Sequence, residues 1–255
     1  MEIKIDTLCL EVTRRCNMNC AHCLRGDAEN MDADSSLIPR IFDGIIEIDS
    51  IVFTGGEPSL NTDYITAVVD YIIDHNIAVH GCFIATNAKI YSPVLVDNIR
   101  RLYEADYENK DRLWNGAQWL RAHRDYDDFQ VFALAVSSDK YHDPVPARNL
   151  LRYYKCGFFS EEKMTTDGPL LARGRGASFP GSYDQGIREP FIELVEDQSL
   201  HIGMAYVSCT GTVVSDCDLP YYDIDLMQEG DLGYLCTIDK STSLCSALTG
   251  ALAAV

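Results

Sequence analysis

Read from its amino terminus, the chain alternates short apolar runs with amphipathic ones. Ile3 to Val12 is a run of β-branched and apolar residues that predicts a strand. Residues 36–48 place Leu37, Ile41, Ile45 and Ile48 at helical spacing and predict an amphipathic helix. Ser50 to Thr54 is a short apolar run, as in a buried parallel strand, and it stops at the turn sequence Gly55-Gly56-Glu57-Pro58. Helical spacing returns from Asn61 to Asp74 through Ile65, Val68, Val69 and Ile72. Ile77 to Ala85 predicts the next strand, which ends at Thr86-Asn87. Ser92 before Pro93 marks a helix start, with Val94, Val96 and Ile99 behind it. Residues 104–128 mix charges with Trp114 and Trp119 and predict an inserted helical segment. Gln130 to Val136 predicts a strand ending at Ser137-Ser138-Asp139.

The pattern then blurs. Gly168, Gly174, Gly176, Gly181 and Gly186 mark loops between Gly157 and Pro190, and two short strands follow at Phe191–Val195 and His201–Val207. Strand–helix alternation predicts a parallel sheet with helices outside it. Because the alternation fades after about residue 165, the expected architecture is α/β, a partial (β/α)6 barrel rather than a closed eightfold one. Residues 1–190 form the barrel in this reading, and residues 191–255 form a small C-terminal extension. In such folds chemistry sits at the carboxyl ends of the strands. Cys16–Cys23, Gly55–Pro58, Thr86-Asn87 and Ser137–Asp139 all fall there, which predicts one active site on one rim.

Composition narrows the functional classes. The formal net charge is -18 over 255 residues. A surface this acidic repels phosphates, so nucleic acid is not the expected partner. From Glu189 to Asp239 there is no Lys or Arg; this reads as a solvated acidic surface or as a docking face for a basic peptide or protein. No apolar run is long enough to span a bilayer. Met1 to Asp6 shows neither the basic nor the apolar region of a secretory signal, so the expected compartment is the cytoplasm.

Ten cysteines in a reducing compartment read as packing residues or metal ligands rather than disulfides. Cys9, Cys82 and Cys156 stand singly in apolar stretches and read as packing residues. Cys16, Cys20 and Cys23 crowd into one polar segment, Arg-Arg-Cys-Asn-Met-Asn-Cys-Ala-His-Cys. Three thiolates in this spacing can hold a [4Fe–4S] cluster and leave one iron open as a Lewis-acid position. Zinc is the alternative, with His22 or a distant Cys as fourth ligand.

Cys16-x3-Cys20-x2-Cys23, directly after the first strand and with the aromatic His22 before the last Cys, resembles the signature of the radical S-adenosylmethionine superfamily. The resemblance extends to Gly55-Gly56-Glu57-Pro58 after the second strand, Thr86-Asn87 after the third and Ser137-Ser138-Asp139 after the fourth. Arg173-Gly174-Arg175-Gly176 is similar to a Gly-Arg-Ala element of many members. The likeness covers roughly residues 5–180. It implies a [4Fe–4S] cluster on Cys16, Cys20 and Cys23, with S-adenosyl-L-methionine held at Gly55, Gly56, Glu57, Pro58, Thr86, Asn87, Ser137 and Asp139. It also implies a low-potential electron donor. The implied reaction is reductive cleavage of the cofactor to a 5′-deoxyadenosyl radical that abstracts hydrogen from a substrate.

Physical reasons accompany these positions. Two glycines let backbone approach a ligand closely, Glu57 can accept from an ammonium group, and Pro58 fixes the turn. Thr86 and Asn87 suit ribose hydroxyls, although Asn at a strand end is also an ordinary turn residue. Asp139 with His142 is a candidate acid/base pair.

The segment Gly211-Thr-Val-Val-Ser-Asp-Cys217 is similar to the Gly-x4-Cys stretch of SPASM and twitch extensions, but carries one extra residue. No Cys-x2-Cys run closes such a domain. Cys209, Cys217, Cys236 and Cys245 therefore stand as a degenerate extension without a cluster, a twitch-like auxiliary cluster, or a zinc site. With the first strand starting at Ile3, no separate N-terminal peptide-recognition domain is expected. Three functions follow: a radical enzyme on a peptide, a radical enzyme on a small molecule such as a nucleoside, or a non-catalytic iron–sulfur or zinc protein.

Overall fold

The computed structural model describes residues 1–113, 132–160, 169–195 and 199–253. Strand β1 spans Ile3–Thr13, and from Leu8 onward every residue is buried. That is the signature of a strand covered on both faces. A 3-10 turn at Ser35–Leu37 leads into a one-turn helix α1, Ile38–Ile41. Strand β2 then runs from Ile45 to Gly55.

Helix 36–48 is therefore corrected. Gly44 sits at φ 79°, where an added Cβ would lie 2.8 Å from the Met1 carbonyl. The chain turns there, and Ile45 and Ile48 pair with Ile3 and Ile5 as strand residues. Their spacing imitates a helix face, but both point into the core from β2.

Helix α2, Thr62–Asp74, buries Tyr64, Ile65, Val68, Val69 and Ile72 against the sheet. Each aliphatic side chain so buried contributes roughly 1.5–3 kcal/mol. The strand expected at Ile77–Ala85 is two pieces, β3 at Ala78–Val79 and β4 at Cys82–Thr86. The break falls where the His80 N–H donates to the Ile48 carbonyl and the Ile51 N–H to the Gly81 carbonyl. Helix α3 begins at Pro93, with the Leu95 N–H reaching Ser92 Oγ at 3.4 Å, and continues to Leu113. Residues 104–113 thus extend α3 instead of forming an insertion. Residues 114–128, with Trp114 and Trp119, lie outside the described residues, as do Gln130 and Val131. Strand β5 covers Phe132–Val136 and helix α4 Ala147–Tyr154.

After a 3-10 turn at Gly174–Ser178 come β6 (Ile192–Leu194), β7 (Leu200–Val207), β8 (Thr212–Val214), α5 (Tyr221–Leu226), β9 (Tyr234–Thr237) and α6 (Leu244–Ala253). The sheet runs β5-β4-β2-β1-β7-β8-β9, with β3 on β2 and β6 on β7. β5, β4, β2, β1 and β7 are mutually parallel, and β6, β8 and β9 join antiparallel. The fold is α/β with an open sheet. Among the described residues the parallel run is extended past β5 by a parallel bridge, Leu134↔Phe159, and on the other side by β7, paired to β1 from Ile3↔Leu200 to Leu10↔Val207.

Parallel pairing aligns the carboxyl ends. Thr13 is level with Gly55, and Thr86 with Val136. Every loop that follows one of these strands therefore starts on the same edge.

Candidate functional site around the three-cysteine loop

The cysteine loop leaves β1 through Thr13, Arg14 and Arg15, and these residues fasten it. Arg14 is fully buried: Nε donates to Glu11 Oε1 at 2.6 Å, and Nη1 and Nη2 reach Asp225 at 2.6 and 2.7 Å. Glu29 accepts from the same guanidinium at 3.0 Å. Breaking a buried pair of this kind typically costs about 3–5 kcal/mol, because it strands the remaining charge. Arg15 bonds Asp32 at 2.9 Å and the Leu60 carbonyl at 2.6 Å. Asn61 Nδ2 donates to the Val12 carbonyl at 2.6 Å. None of these three roles is evident from sequence, although Arg14 and Arg15 stand directly before Cys16.

Gly55 and Gly56 also let the β2 turn approach neighbouring backbone closely. A Cβ on Gly55, at φ 127°, would lie 2.1 Å from the Thr13 carbonyl oxygen; one on Gly56 would lie 2.2 Å from that of Arg15. The Gly56 and Glu57 N–H groups donate to these same carbonyls at 2.7 and 2.9 Å. The close approach is thus to the root of the cysteine loop.

Glu57 is buried, at 1% exposure. Its Oε1 accepts from Thr86 Oγ1 at 2.6 Å and from the Ser59 N–H at 3.1 Å, and Oε2 accepts from the Asn87 N–H at 2.8 Å. Pro58 is buried and opens the 3-10 turn Pro58–Leu60. Asn87 Nδ2 donates to Asn17 Oδ1 at 2.8 Å and lies 3.9 Å from Cys16 Sγ. Glu57, Thr86 and Asn87 thereby form one bonded chain that ends on the first cysteine.

Cys16, Cys20 and Cys23 are half-buried free thiols. Burial pushes Cys16 up, opposed by a backbone hydrogen bond from Met18. Cys20 is pushed up to about 11 by burial and then by the Cys23 and Cys16 charges. Three soft sulfur donors on one loop pinned at its root fit a cationic iron–sulfur centre.

On the far side, Gly174 and Arg175 press on the loop. The Arg175 N–H donates to the Cys23 carbonyl at 2.9 Å, and a Cβ on Gly174 would lie 2.3 Å from the Leu24 carbonyl. Arg175 also bonds Asn19 and Asp27, while Arg173 reaches Asp216 at 3.0 Å.

The Ser137 N–H donates to the Thr86 carbonyl at 2.9 Å, which places the β5 end beside the β4 end. Asp139 Oδ1 accepts from the Tyr141 N–H at 2.8 Å and lies 2.7 Å from His142 Nδ1. Burial works against the Asp139 charge, but the Tyr141 N–H and the two imidazoles outweigh it and hold the carboxyl below the usual range. Burial lowers His22, keeping its ring neutral at neutral pH. The His22 ring lies 4.8 Å, centroid to centroid, from Tyr141 in a tilted contact and from His142 edge-on. Buried His22 Nδ1, Asp139 Oδ2 and Arg175 Nε have no hydrogen-bond partner. A native interior rarely leaves such atoms unpaired without a ligand to meet them.

The four C-terminal thiols each meet different neighbours. Cys209 Sγ donates to the Glu11 carbonyl at 3.3 Å, Cys217 Sγ lies 3.8 Å from Asp218 Oδ1, Cys236 is buried opposite Val213, and Cys245 Sγ reaches the Met1 carbonyl at 3.4 Å. β7 and β8 pair as an antiparallel hairpin that carries Cys209 and Cys217 to different partners.

Comparison with known proteins agrees with the thiol chemistry. Residues 7–91 match the family model of a 4Fe–4S single cluster domain. An uncharacterized protein of Methanocaldococcus jannaschii, MJ0907, is 36% identical over 100 residues, which is 37% of this chain and 35% of that one. The match therefore spans about a third of the relative's length. Among solved structures the chain is similar to anSMEcpe with bound AdoMet: 10% identity, 95% of this chain, 80% of that chain, TM-score 0.43. It is also similar to Streptococcus suis SuiB bound to precursor peptide SuiA: 12% identity, 90% of this chain, 62% of that chain, TM-score 0.40. Cys16, Cys20 and Cys23 all lie within the stretch, residues 7–91, over which the chain is similar to the 4Fe–4S single cluster domain family.

Proposed function

We propose that this protein is a radical S-adenosylmethionine enzyme whose [4Fe–4S] cluster is held by Cys16, Cys20 and Cys23. The observation that carries this reading is the convergence of three thiols and three unpaired buried polar atoms, His22 Nδ1, Asp139 Oδ2 and Arg175 Nε, on one rim. The thiols match an iron–sulfur centre, and the polar atoms match a ligand rich in nitrogen and oxygen bound beside it. When bound, the two groups supply one-electron cleavage of a C–S bond and hydrogen abstraction from a substrate.

This chain's own residues supply position. Gly55 and Gly56 seat the β2 turn on the root of the cysteine loop. Glu57 aligns Thr86 and Asn87, leaving Asn87 beside Cys16. Thr86, Asn87, Ser137 and Asp139 line the rim on which the cofactor would lie. Glu57 acts here through Thr86 and Asn87, which is a positioning role.

The substrate class that the surface favours is a peptide with positive charge. Residues 189–239 lack Lys and Arg, and Tyr222 and Leu226 stand exposed among Asp223 and other acidic residues. All ten cysteines are unpaired, which suits a reducing cytoplasm and a low-potential electron donor. No helix among the described residues is long and apolar enough to cross a membrane.

Electron paramagnetic resonance of the anaerobically reconstituted, reduced protein tests the proposal. A [4Fe–4S] signal whose g-values change on adding S-adenosylmethionine is expected. A signal indifferent to the cofactor would favour a non-catalytic iron–sulfur protein.

A further inference from the structure

Two arginines bracket the cysteine loop, and both are held from the C-terminal part of the chain. Arg14 stands two residues before Cys16, and Arg25 two residues after Cys23. Arg14 Nη1 and Nη2 donate to the two carboxylate oxygens of Asp225, on α5, at 2.6 and 2.7 Å, and the guanidinium lies 4.6 Å from the centre of the Tyr221 ring. Arg25 is held in a similar way. Its Nη1 donates to the Leu219 carbonyl at 2.7 Å, its guanidinium lies 4.6 Å from the centre of the Tyr206 ring, and its own carbonyl accepts from the Tyr221 N–H at 3.2 Å. A third arginine, Arg173, donates to Asp216 at 3.0 Å from the loop whose Arg175 N–H bonds the Cys23 carbonyl. These C-terminal partners all fall between Tyr206 and Asp225.

Packing alone does not account for this choice of residues. A buried ion pair adds little net stability over apolar side chains of the same volume. What a bidentate guanidinium–carboxylate pair adds is direction, because two donors must meet two oxygens in one plane. An aromatic face beneath a guanidinium fixes its plane in the same manner. Tyr206, Leu219 and Ile224 share one buried cluster with Cys9 of β1, so both ends of the cysteine loop are fixed against one packed body. The stretch between the two anchors carries the three thiols, and three thiols can close on one cluster only while the ends of their loop keep a set separation.

We infer that the segment from Tyr206 to Asp225 is a clasp that positions the cysteine loop for its cluster, with Asp225, acting through Arg14, as its main positioning residue. The inference rests on the cluster reading above and gives the C-terminal segment a task in it.

The test follows iron release to a chelator, and the g-values of the reduced cluster, in the reconstituted full chain. Asp225→Asn keeps the shape of the side chain and removes the charge facing Arg14. Arg25→Lys keeps the charge and removes the planar group over Tyr206; it carries the test if Asp225→Asn does not fold. Leu248 is buried in α6, which packs on β9, so Leu248→Ala shows what loss of core packing alone does. Expected are shifted g-values and iron release roughly tenfold faster in the two clasp variants, the lower end of what loss of a supporting contact costs a metal site, with Leu248→Ala unchanged in both. Wild-type iron retention and g-values in the clasp variants, or equal changes in Leu248→Ala, would overturn this inference alone. A wild type that takes up no cluster would overturn the cluster reading and this inference with it.

Discussion

Thr86 Oγ1 donates to Glu57 Oε1 at 2.6 Å, joining the carboxyl end of β4 to the turn that ends β2. The Asn87 N–H completes the link on Oε2, so one buried carboxylate registers two adjacent strand ends. Glu57→Ala leaves the Thr86, Ser59 and Asn87 donors unpaired. Hydrogen bonds to charged groups contribute roughly 1.5–3 kcal/mol each, and a net loss near 3 kcal/mol is expected. For a chain of this size that lowers Tm by roughly 6–12 °C. Cofactor affinity should fall by about tenfold or more, with iron content unchanged, because no cysteine is touched. Calorimetric titration with S-adenosylmethionine and a thermal melt check this. Unaltered values in both would show that the carboxylate registers nothing.

Gly56 has no room for a methyl group: its Cβ would lie 2.2 Å from the Arg15 carbonyl oxygen and 2.9 Å from that of Arg14. Both obstacles are backbone, so neither can rotate away. Gly56→Ala should push the turn off the loop root. Expected are a loss of stability of about 1–3 kcal/mol, the usual scale of overpacking, and less iron retained after reconstitution. A variant with full iron and wild-type stability would contradict the fit described.

His80 gives the fold a defined pH dependence. Its Nδ1 lies 3.0 Å from Asp106 Oδ1 and its Nε2 3.0 Å from Glu47 Oε1. The hydrogen bond to Asp106, opposed by burial and helped by Glu47, raises its pKa above the ordinary histidine value. The sign follows from linkage. A raised native pKa contributes stability that is fully present below the unfolded value, about 6.5, and is lost as pH rises through the native one. Denaturant unfolding should show stability falling from pH 6 toward pH 8, with a shallower fall in His80→Asn. An imidazole titrating below its ordinary value by NMR would reverse the sign.

The auxiliary cysteines predict an iron count. Because Cys209, Cys217, Cys236 and Cys245 each contact a different neighbour, reconstitution should give about four irons per chain. Iron and sulfide analysis checks this; about eight irons per chain would show that a second cluster draws those thiols together.

Much of this site is legible because its chemistry is local in sequence. Cys16, Cys20 and Cys23 share one loop, and the Gly-Gly-Glu-Pro turn, Thr86-Asn87 and Ser137–Asp139 each follow a recognisable apolar run. What escapes is non-local. Ile45 and Ile48 carry helical spacing yet pair with Ile3 and Ile5, because Gly44 turns the chain four residues early. Arg14 reads as a charged loop residue until Glu11, Glu29 and Asp225, the last 211 positions away, surround it. The pairing of β7 with β1 likewise has no trace in either strand's own residues, since any buried apolar strand could take that edge. The glycines read in sequence as room for a ligand; that the backbone of Thr13 and Arg15 also needs this room is set by strand pairing and is not local.

The central claim is that Cys16, Cys20 and Cys23 hold the cluster that cleaves S-adenosylmethionine. It is tested most directly by 5′-deoxyadenosine formation under anaerobic reduction, in the wild type and in the triple variant Cys16→Ala/Cys20→Ala/Cys23→Ala. The account predicts 5′-deoxyadenosine from the wild type and none from the triple variant, which should also lack the cluster's visible absorption. 5′-Deoxyadenosine production by the triple variant at the wild-type rate would contradict it.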